Sequence, residues 1–463
     1  MAAAQKHVDF TQGIIWKKLL LFCLPIVAGN LFQQLYTVMD AVILGRFVGK
    51  AGLAAVDSVY NLLKLPVNLF SGLSAGAAIA AAQHFGGKNR EQLSRTVDTA
   101  VAFALAGGLL FSAISFLLAP ALLRLLEIPP ELQAMTLAYV RIYFGGLAPS
   151  LLYNVCGGIL RAVGDSKTPF QYLAAANTLN VLLDLLLVGT LGWGVAGAAL
   201  STVLAQGVSA ALALRALRHA RLEGKPLLAS PRFHPGALKA VFQMGLPIGL
   251  QSSLYPVANM MIQSSINRLG TDSIAAWALC GKLDLAVWLV IDSLGAAVST
   301  FAAQNYGAGR YARLRRGVGA GMGTALGSVL FLSAALLLFS QPLGRLFLKA
   351  ADEGILPLVG QSMGILAPFY FLCAVSEVLG GAIRGTGHTV KPMLLTLLGT
   401  CLCRAAWVLL AVPQRHTLGA ILLGYPLSWL LTSLSMAAYY ARFQKKHLPG
   451  SPAGAKGASA PAA

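Results

Sequence analysis

The stretch from Leu24 to Gly49, LPIVAGNLFQQLYTVMDAVILGRFVG, is apolar enough to span a bilayer, yet it carries Pro25, Gln33, Gln34 and a carboxylate at Asp40. A charged side chain at the middle of a spanning helix costs about 2.5–3.5 kcal/mol even on the lenient insertion scale. Such a residue faces a cavity or a partner and marks an ion or substrate path. Two further acids occupy comparable positions, Asp57 in the next apolar run and Asp184 in the fifth. Together they read as a cation or proton site that drives transport.

Depth sorts these residues. With the first and fifth runs rising outward, Asp40 and Asp184, late in each, fall in the outer half. The second and sixth descend, so Asp57 and Thr202, early in each, fall there too. Asn180 precedes Asp184 by four residues, which places both on one helix face. Asp40, Asn180, Asp184 and Thr202 therefore offer carboxylate, amide and hydroxyl oxygens at one level. Oxygen donors suit a hard cation such as Na+. Alternatively, two adjoining acids do not both hold charge cheaply, and the pair binds a proton. The competing explanation is that each acid is paired with a buried base or a backbone group, with Lys64 as the partner for Asp57.

These residues need spanning helices to position them, and the composition supplies them. The chain has 463 residues, of which 57% are hydrophobic and only 11% charged, with 49 glycines. About a quarter of a soluble domain is charged, and glycine is commoner in spanning helices. Apolar segments at 14–44, 52–82, 96–119, 133–160, 169–190 and 193–214 predict six spans. Six more follow at 238–267, 273–303, 316–340, 356–383, 390–412 and 417–441. The expected class is an all-α membrane protein of twelve transmembrane helices. The expected divisions are an N-terminal lobe at 1–214, a basic linker at 215–237, a C-terminal lobe at 238–441 and a disordered tail at 442–463.

The net charge of +19 suggests nucleic acid until its distribution is read. Lys and Arg gather in alternate connections, as from Lys88 to Arg95, Arg215 to Lys239 and Arg310 to Arg316, while the intervening ones hold few. That is the positive-inside pattern of a multi-pass protein of the inner (plasma) membrane with both termini in the cytoplasm, and it excludes nucleic-acid binding. The six cysteines sit in apolar runs without metal-site spacing and read as small hydrophobes. No Gly-x4-Gly-Lys-Ser/Thr run cradles a nucleotide phosphate, so no cofactor is expected and the energy source is an ion gradient.

The second half repeats the first. Gln83-His84-Phe85-Gly86 stands 221 residues before Gln304-Asn305-Tyr306-Gly307, and Arg161-Ala162-Val163-Gly164 stands 223 before Arg384-Gly385-Thr386-Gly387. Six spans per repeat is an even number, so both copies enter the membrane alike. That predicts two six-helix lobes related by a pseudo-two-fold along the membrane normal, with the substrate path between them. The second half carries its own intramembrane charges: Lys282 and Asp284, Asp292, Glu377 and Arg404. Substrate contact is one reading of them, and pairing of Glu377 with Arg404 the other. The candidate substrate cavity takes in Gln34, Asp57, Gln251, Asn259, Asp284 and Glu377. Pro25, on the helix that carries Asp40, is the candidate conformational hinge, because proline removes a backbone donor and bends a helix.

QQLYTVMDAVILGRFVG, the pair AAQHFGGKNR and AAQNYGAGR, ILRAVGDSKTP with its echo AIRGTGHTVKP, and LNVLLDLLLVGTLGWGVAGAAL together resemble the multidrug and toxic compound extrusion (MATE) family. The likeness covers essentially all twelve spans and is nearest the prokaryotic branch of DNA-damage-inducible F-type transporters. It implies two six-helix lobes and export of cationic or amphipathic drugs against inward H+ or Na+. It also implies a coupling site in the N-terminal lobe at Asp40, Asn180, Asp184, Thr202 and Asn154, with the bending proline at Pro25.

The resulting expectation is a secondary antiporter of small organic cations or amphipaths, exchanged for H+ or Na+ by a monomer in the bilayer. The alternative is a flippase for lipid-linked sugars or lipids, as in related families. An enzyme would need a paired catalytic constellation at the membrane surface, and none is found.

Overall fold

The computed structural model describes residues 8–126, 128–222, 224–348, 350–414 and 417–448. The Gly/Ala/Pro run from Pro449 to Ala463, expected to be disordered, lies outside them. In the first half the helices are α1 (Ile15–Phe47), α2 (Lys50–Asp57), α3 (Tyr60–Gly86), α4 (Arg90–Leu125), α5 (Pro130–Gly145), α6 (Leu147–Ala162), α7 (Lys167–Asp184) and α8 (Gly194–His219). A short hairpin of β1 (Arg221–Leu222) and β2 (Lys225–Pro226) follows. The second half holds α9 (Pro235–Asn267), α10 (Thr271–Leu283), α11 (Leu285–Gly307), α12 (Tyr311–Arg345), α13 (Leu356–Leu366), α14 (Tyr370–Gly385), α15 (Val390–Thr396), α16 (Cys403–Leu410), α17 (Leu418–Leu422) and α18 (Gly424–His447).

Among the described residues ten helical stretches are long and apolar enough to cross a membrane, and α5 with α6, bent by 41°, makes an eleventh. The twelfth span is α9. At 33 residues it is as long as α1, but Gln251, Asn259 and Gln263 dilute its apolar character. The two six-helix halves are thus present. α1 runs unbroken through Pro25. The fifth span does not: α7 ends at Asp184 and passes into a π-helical turn, Leu185–Thr190, where Thr190 Oγ1 donates to the carbonyls of Leu185 (3.1 Å) and Leu186 (2.8 Å). Single π-turns inside helices gather at functional sites. This one starts at the acid.

The chain forms two compact units, but not at the expected boundaries. The first takes in Leu21–Gly249 and the second Phe10–Leu20 with Leu250 onward. The beginning of α9 therefore belongs to the first unit, and glycine explains why. Gly72 and Gly76 of α3 meet Gly249 and Gly245 of α9, and a Cβ on Gly72 or Gly76 would fall on the partner's backbone. This is the small-xxx-small packing of membrane helices on both partners. In the second unit, the segment before α1 is held by the repeated Gln-Asn motif and the basic run after it. Phe10 N–H donates to Gln304 Oε1 (3.0 Å), Phe10 O accepts from Asn305 Nδ2 (3.2 Å), and Arg313 donates to the carbonyls of Phe10, Gln12 and Gly13.

The expected linker at 215–237 is shorter and better ordered than its composition suggests. α8 continues to His219 and α9 starts at Pro235. Between them the Asp98 carboxylate accepts the N–H groups of Ala229 (3.0 Å) and Ser230 (3.1 Å), and Thr99 Oγ1 accepts from His234 N–H (3.1 Å). Likewise the boundary at 442 falls within α18, whose last turn carries Lys445, Lys446 and His447. Cations there complement the helix dipole and extend the helix beyond its apolar run.

Candidate functional site

Asp184 is fully buried, and so, nearly, is Asn180 one turn before it. Ser201 of α8 donates to Asp184 Oδ1. The donors and acceptors balance when the Asn180 amide is assigned so that Nδ2 donates to Asp184 Oδ2 (3.1 Å) and Oδ1 accepts from Thr202 N–H (3.1 Å). Asp40 of α1 completes the group. Its carboxyl lies within electrostatic reach of that of Asp184, and its Oδ1 is buried with no donor among the described residues. No basic side chain pairs with either acid among the described residues. Two carboxyls so placed must share a proton or a cation, since bare like charges in a poor dielectric repel strongly.

Sequence reasoning missed the aromatic shell. Tyr36, one turn before Asp40 on α1, shares a cavity wall with Thr202, and it comes within electrostatic reach of Asp40 together with Tyr139 and Tyr143 of α5. The two α5 rings stack with centroids 6.1 Å apart. Tyr36 was legible as the i−4 neighbour of Asp40. The α5 tyrosines were not, because nothing local ties them to the acids. Ser201, the closest partner of Asp184, was overlooked beside Thr202.

A cavity of about 290 Å³ adjoins this group within the same unit. Tyr36, Tyr143 and Thr202 belong to both, and Gln33, Ser150, Tyr153, Asn154 and Gln206 line the rest. Asn154 thus stands in the cavity wall, donating to Ser150 O of its own helix (2.9 Å), and makes no hydrogen bond to the acids. Gln33 lines the cavity and Gln34 does not.

None of the other expected cavity residues lines it. Asp57 ends the short helix α2, is exposed, and stands before α3, away from the cavity lining. Its suggested partner Lys64 sits instead over the Tyr60 ring at 4.2 Å. Asp284 lies at the α10–α11 break, where its Oδ2 accepts from Trp288 Nε1 (3.0 Å) and Tyr370 OH (2.8 Å). Lys282 lies over Phe347 at 5.7 Å. Gln251 has a buried Oε1 without a donor among the described residues.

Of the two readings of Glu377 and Arg404, their mutual pairing is not what forms. Glu377 pairs with Arg384, two turns along the same helix. Arg404 is completely buried and donates to Asn259 Oδ1 (2.6 Å), Ser428 Oγ (3.1 Å) and Tyr255 OH (3.5 Å), with its guanidinium 4.2 Å above the Tyr425 ring. Neutral oxygens and π-faces take the place of a counter-ion. A planar fork is what joins α9, α16 and α18, so Arg404→Lys is expected to cost about 1.5–3 kcal/mol, the range for hydrogen bonds to charged groups. Thermal unfolding in detergent would register this as a lowered melting temperature, and an unchanged one would show that the fork does not hold these helices.

Comparison with known proteins agrees with the repeat. The family profile described as MatE matches residues 25–186 and again 247–409. The chain is similar to the probable multidrug resistance protein YpnP of Bacillus subtilis, with 28% identity covering 94% of this chain and 97% of that one. It is also similar to the probable multidrug resistance protein NorM of Thermotoga maritima, with 23% identity and 88% of each chain covered. Among solved structures, a transporter of the MOP superfamily from Pyrococcus furiosus superposes with a TM-score of 0.85 at 21% identity, over 96% of this chain and all of that one. An outward-facing multidrug resistance MATE family transporter gives 0.87 at 20% identity, over 97% and 100%.

Proposed function

Because this chain belongs to the MatE family, a family of multidrug transporters, we propose that it exports organic cations or amphipathic compounds across the cell membrane in exchange for inward H+. The observation that carries the choice of ion is that the Asp40 and Asp184 carboxyls lie close together and buried, with no basic side chain paired to either among the described residues. Two such acids hold one negative charge far more cheaply than two, which leaves a proton on the pair.

The donor set argues in the same direction. A Na+ ion asks for several oxygens turned toward one point, and Asp40, Asn180, Asp184 and Thr202 are the candidates. Asn180 instead turns its amide N–H toward Asp184 and uses its oxygen on the Thr202 backbone. The Thr202 hydroxyl donates to Ala198 O of its own helix (3.0 Å), so the two carboxyls and that one hydroxyl oxygen are what remain, a set that suits a proton better than a dehydrated cation.

In this reading Asp40 and Asp184 hold the proton, Ser201 and Asn180 fix the Asp184 carboxyl, and Tyr36 and Thr202 connect the acid pair to the cavity. Loss of the proton leaves charge on the pair next to Tyr36 and Tyr143, which favours a cationic cargo. Rebinding it removes the charge and favours release. Pro25, fifteen residues before Asp40 on the same helix, is the point at which α1 bends between the two states. The orientation is that expected from the charge distribution, with basic connections and both termini cytoplasmic.

The test is release of a fluorescent organic cation from proteoliposomes under separately imposed pH and Na+ gradients. Release is expected to follow the pH gradient and to ignore Na+. Release driven by Na+ alone would overturn the choice of ion. Indifference to both, with movement of labelled lipid, would favour a flippase.

A further inference from the structure

Proton exchange as proposed above makes no use of Asp284. This acid falls within the eighth apolar run, 273–303, at the break between α10 and α11. A charge at such a place is costly and faces a partner or a ligand. The partners it has are neutral. Trp288 Nε1 and Tyr370 OH both donate to Oδ2, and no side chain donates to Oδ1 among the described residues. The bases of the second unit named above are engaged elsewhere: Lys282 lies over Phe347, Arg384 pairs with Glu377, and Arg404 donates to Asn259, Ser428 and Tyr255. One oxygen of the carboxylate is thus fixed by two donors, and its negative charge has no counter-ion.

The groups beside it are aromatic. Trp288 packs edge-on against Tyr370 (ring centroids 6.0 Å apart) and Trp429 (6.1 Å), and Trp429 in turn lies 5.4 Å from Tyr370 and 5.7 Å from Tyr425. Tyr370, Tyr425 and Trp429 are buried, whereas Asp284 and Trp288 are half-buried, so the cluster opens at the carboxylate. One polar atom inside it is unsatisfied: Trp429 Nε1, in a side chain only 4% exposed, has no acceptor among the described residues. Buried polar atoms are normally paired, so an orphan donor beside a half-open acid points to an occupant.

We propose that Asp284 and these rings form a binding site, contained within the second unit, for lipophilic amines carried as ammonium ions with at least one N–H. The ammonium N–H donates to Asp284 Oδ1, the charge lies against the Trp288 ring, and Trp429 Nε1 is left for an acceptor atom of the same molecule. A positive charge over an indole face is the strongest of the cation–π contacts, and a charge-assisted hydrogen bond adds direction to it. Na+ asks for several oxygens, and here one carboxylate oxygen stands among rings. A quaternary ammonium has no N–H to give and keeps only the attraction of charge and ring. That the occupant is cargo rests on the export reading above; the site itself does not need Asp40.

The experiment measures binding of dansylcadaverine, a fluorescent primary amine, and of its N,N,N-trimethyl derivative to the full chain purified in non-ionic detergent. Energy transfer from tryptophan to the dansyl group reports occupancy. Parent and Asp40→Asn are each compared with and without Asp284→Asn. In both backgrounds Asp284→Asn is expected to bind the amine about thirtyfold more weakly, which corresponds to about 2 kcal/mol. Asp284→Glu keeps the charge and should recover part of the binding, which separates loss of the carboxylate from a folding defect. Tyr370→Phe keeps the ring, removes one donor to Oδ2 and should weaken binding less than Asp284→Asn does. The trimethyl derivative should bind the parent more weakly than the amine. Equal amine affinity with and without Asp284→Asn in the Asp40→Asn background would overturn the site, and a trimethyl derivative bound as tightly as the amine would overturn the class of ligand. Failure of the export reading has a different signature: the amine still binds through Asp284, and proteoliposomes do not move it.

Discussion

Asp40→Asn is expected to reduce pH-driven efflux by at least about a hundredfold, which corresponds to about 2.7 kcal/mol. The amide is nearly the size of the acid and still donates a hydrogen bond, so Asp184 keeps a partner and the local packing survives. It cannot exchange a proton. It imitates the protonated acid permanently and removes the charged state that favours cargo. The melting temperature should therefore stay close to that of the parent while transport falls. Asp40→Glu keeps the titrating group but lengthens it by a methylene, and should retain part of the activity. Parental efflux in Asp40→Asn would place the coupling elsewhere.

Gly72→Ala is expected to have the largest effect on stability. A Cβ at this position would overlap the α9 backbone at Gly249, and backbone cannot rotate aside as a side chain does. Overpacking a tight interface costs about 1–3 kcal/mol, occasionally more. A backbone-to-backbone clash belongs at the upper end. Gly249→Ala should cost a similar amount, and the double variant less than the two together, because either methyl alone already forces α3 and α9 apart. Gly323→Ala is the control. Nothing lies within 4 Å of its added Cβ, and alanine is the better helix former by about 1 kcal/mol. Thermal unfolding of the three single variants should separate the first two from the third, and a Gly72→Ala protein as stable as the parent would show that the helices have room.

The spans were legible because a bilayer leaves the backbone few options. Without water to satisfy its polar groups, an apolar run of some twenty residues is a helix, and twelve such runs gave twelve spans. Asp40, Asn180 and Asp184 were legible for a related reason, since a costly residue in an apolar helix must have a use. What failed was arithmetic at the ends of elements. Asp57 was read as part of one continuous run from 52, whereas the helix breaks at Ser58 and Val59 and Asp57 ends the short α2.

The partners of isolated charges were the least legible of all. Arg404 and Glu377 are opposite in sign and their pairing was one of two readings of these charges, yet Arg404 takes Asn259, Ser428 and aromatic faces while Glu377 takes Arg384. Neutral oxygens satisfy a guanidinium without the desolvation of a second charge. Sequence spacing does not report such choices. The unit boundary was legible in principle, because Gly72-x-x-x-Gly76 and Gly245-x-x-x-Gly249 are each a helix-packing motif. Their contact shows why the start of α9 belongs with the first half.

Exchange of proton and cargo at the Asp40–Asp184 pair, as proposed above, requires that cargo binding release a proton. The most direct measurement is the count of protons released when a fluorescent organic cation is added to the purified protein in weakly buffered solution. The account predicts proton release on cargo binding by the parent, none by Asp40→Asn, and no change in either on replacing K+ by Na+. Cargo binding without proton release by the parent, or equal release by the variant, would contradict it.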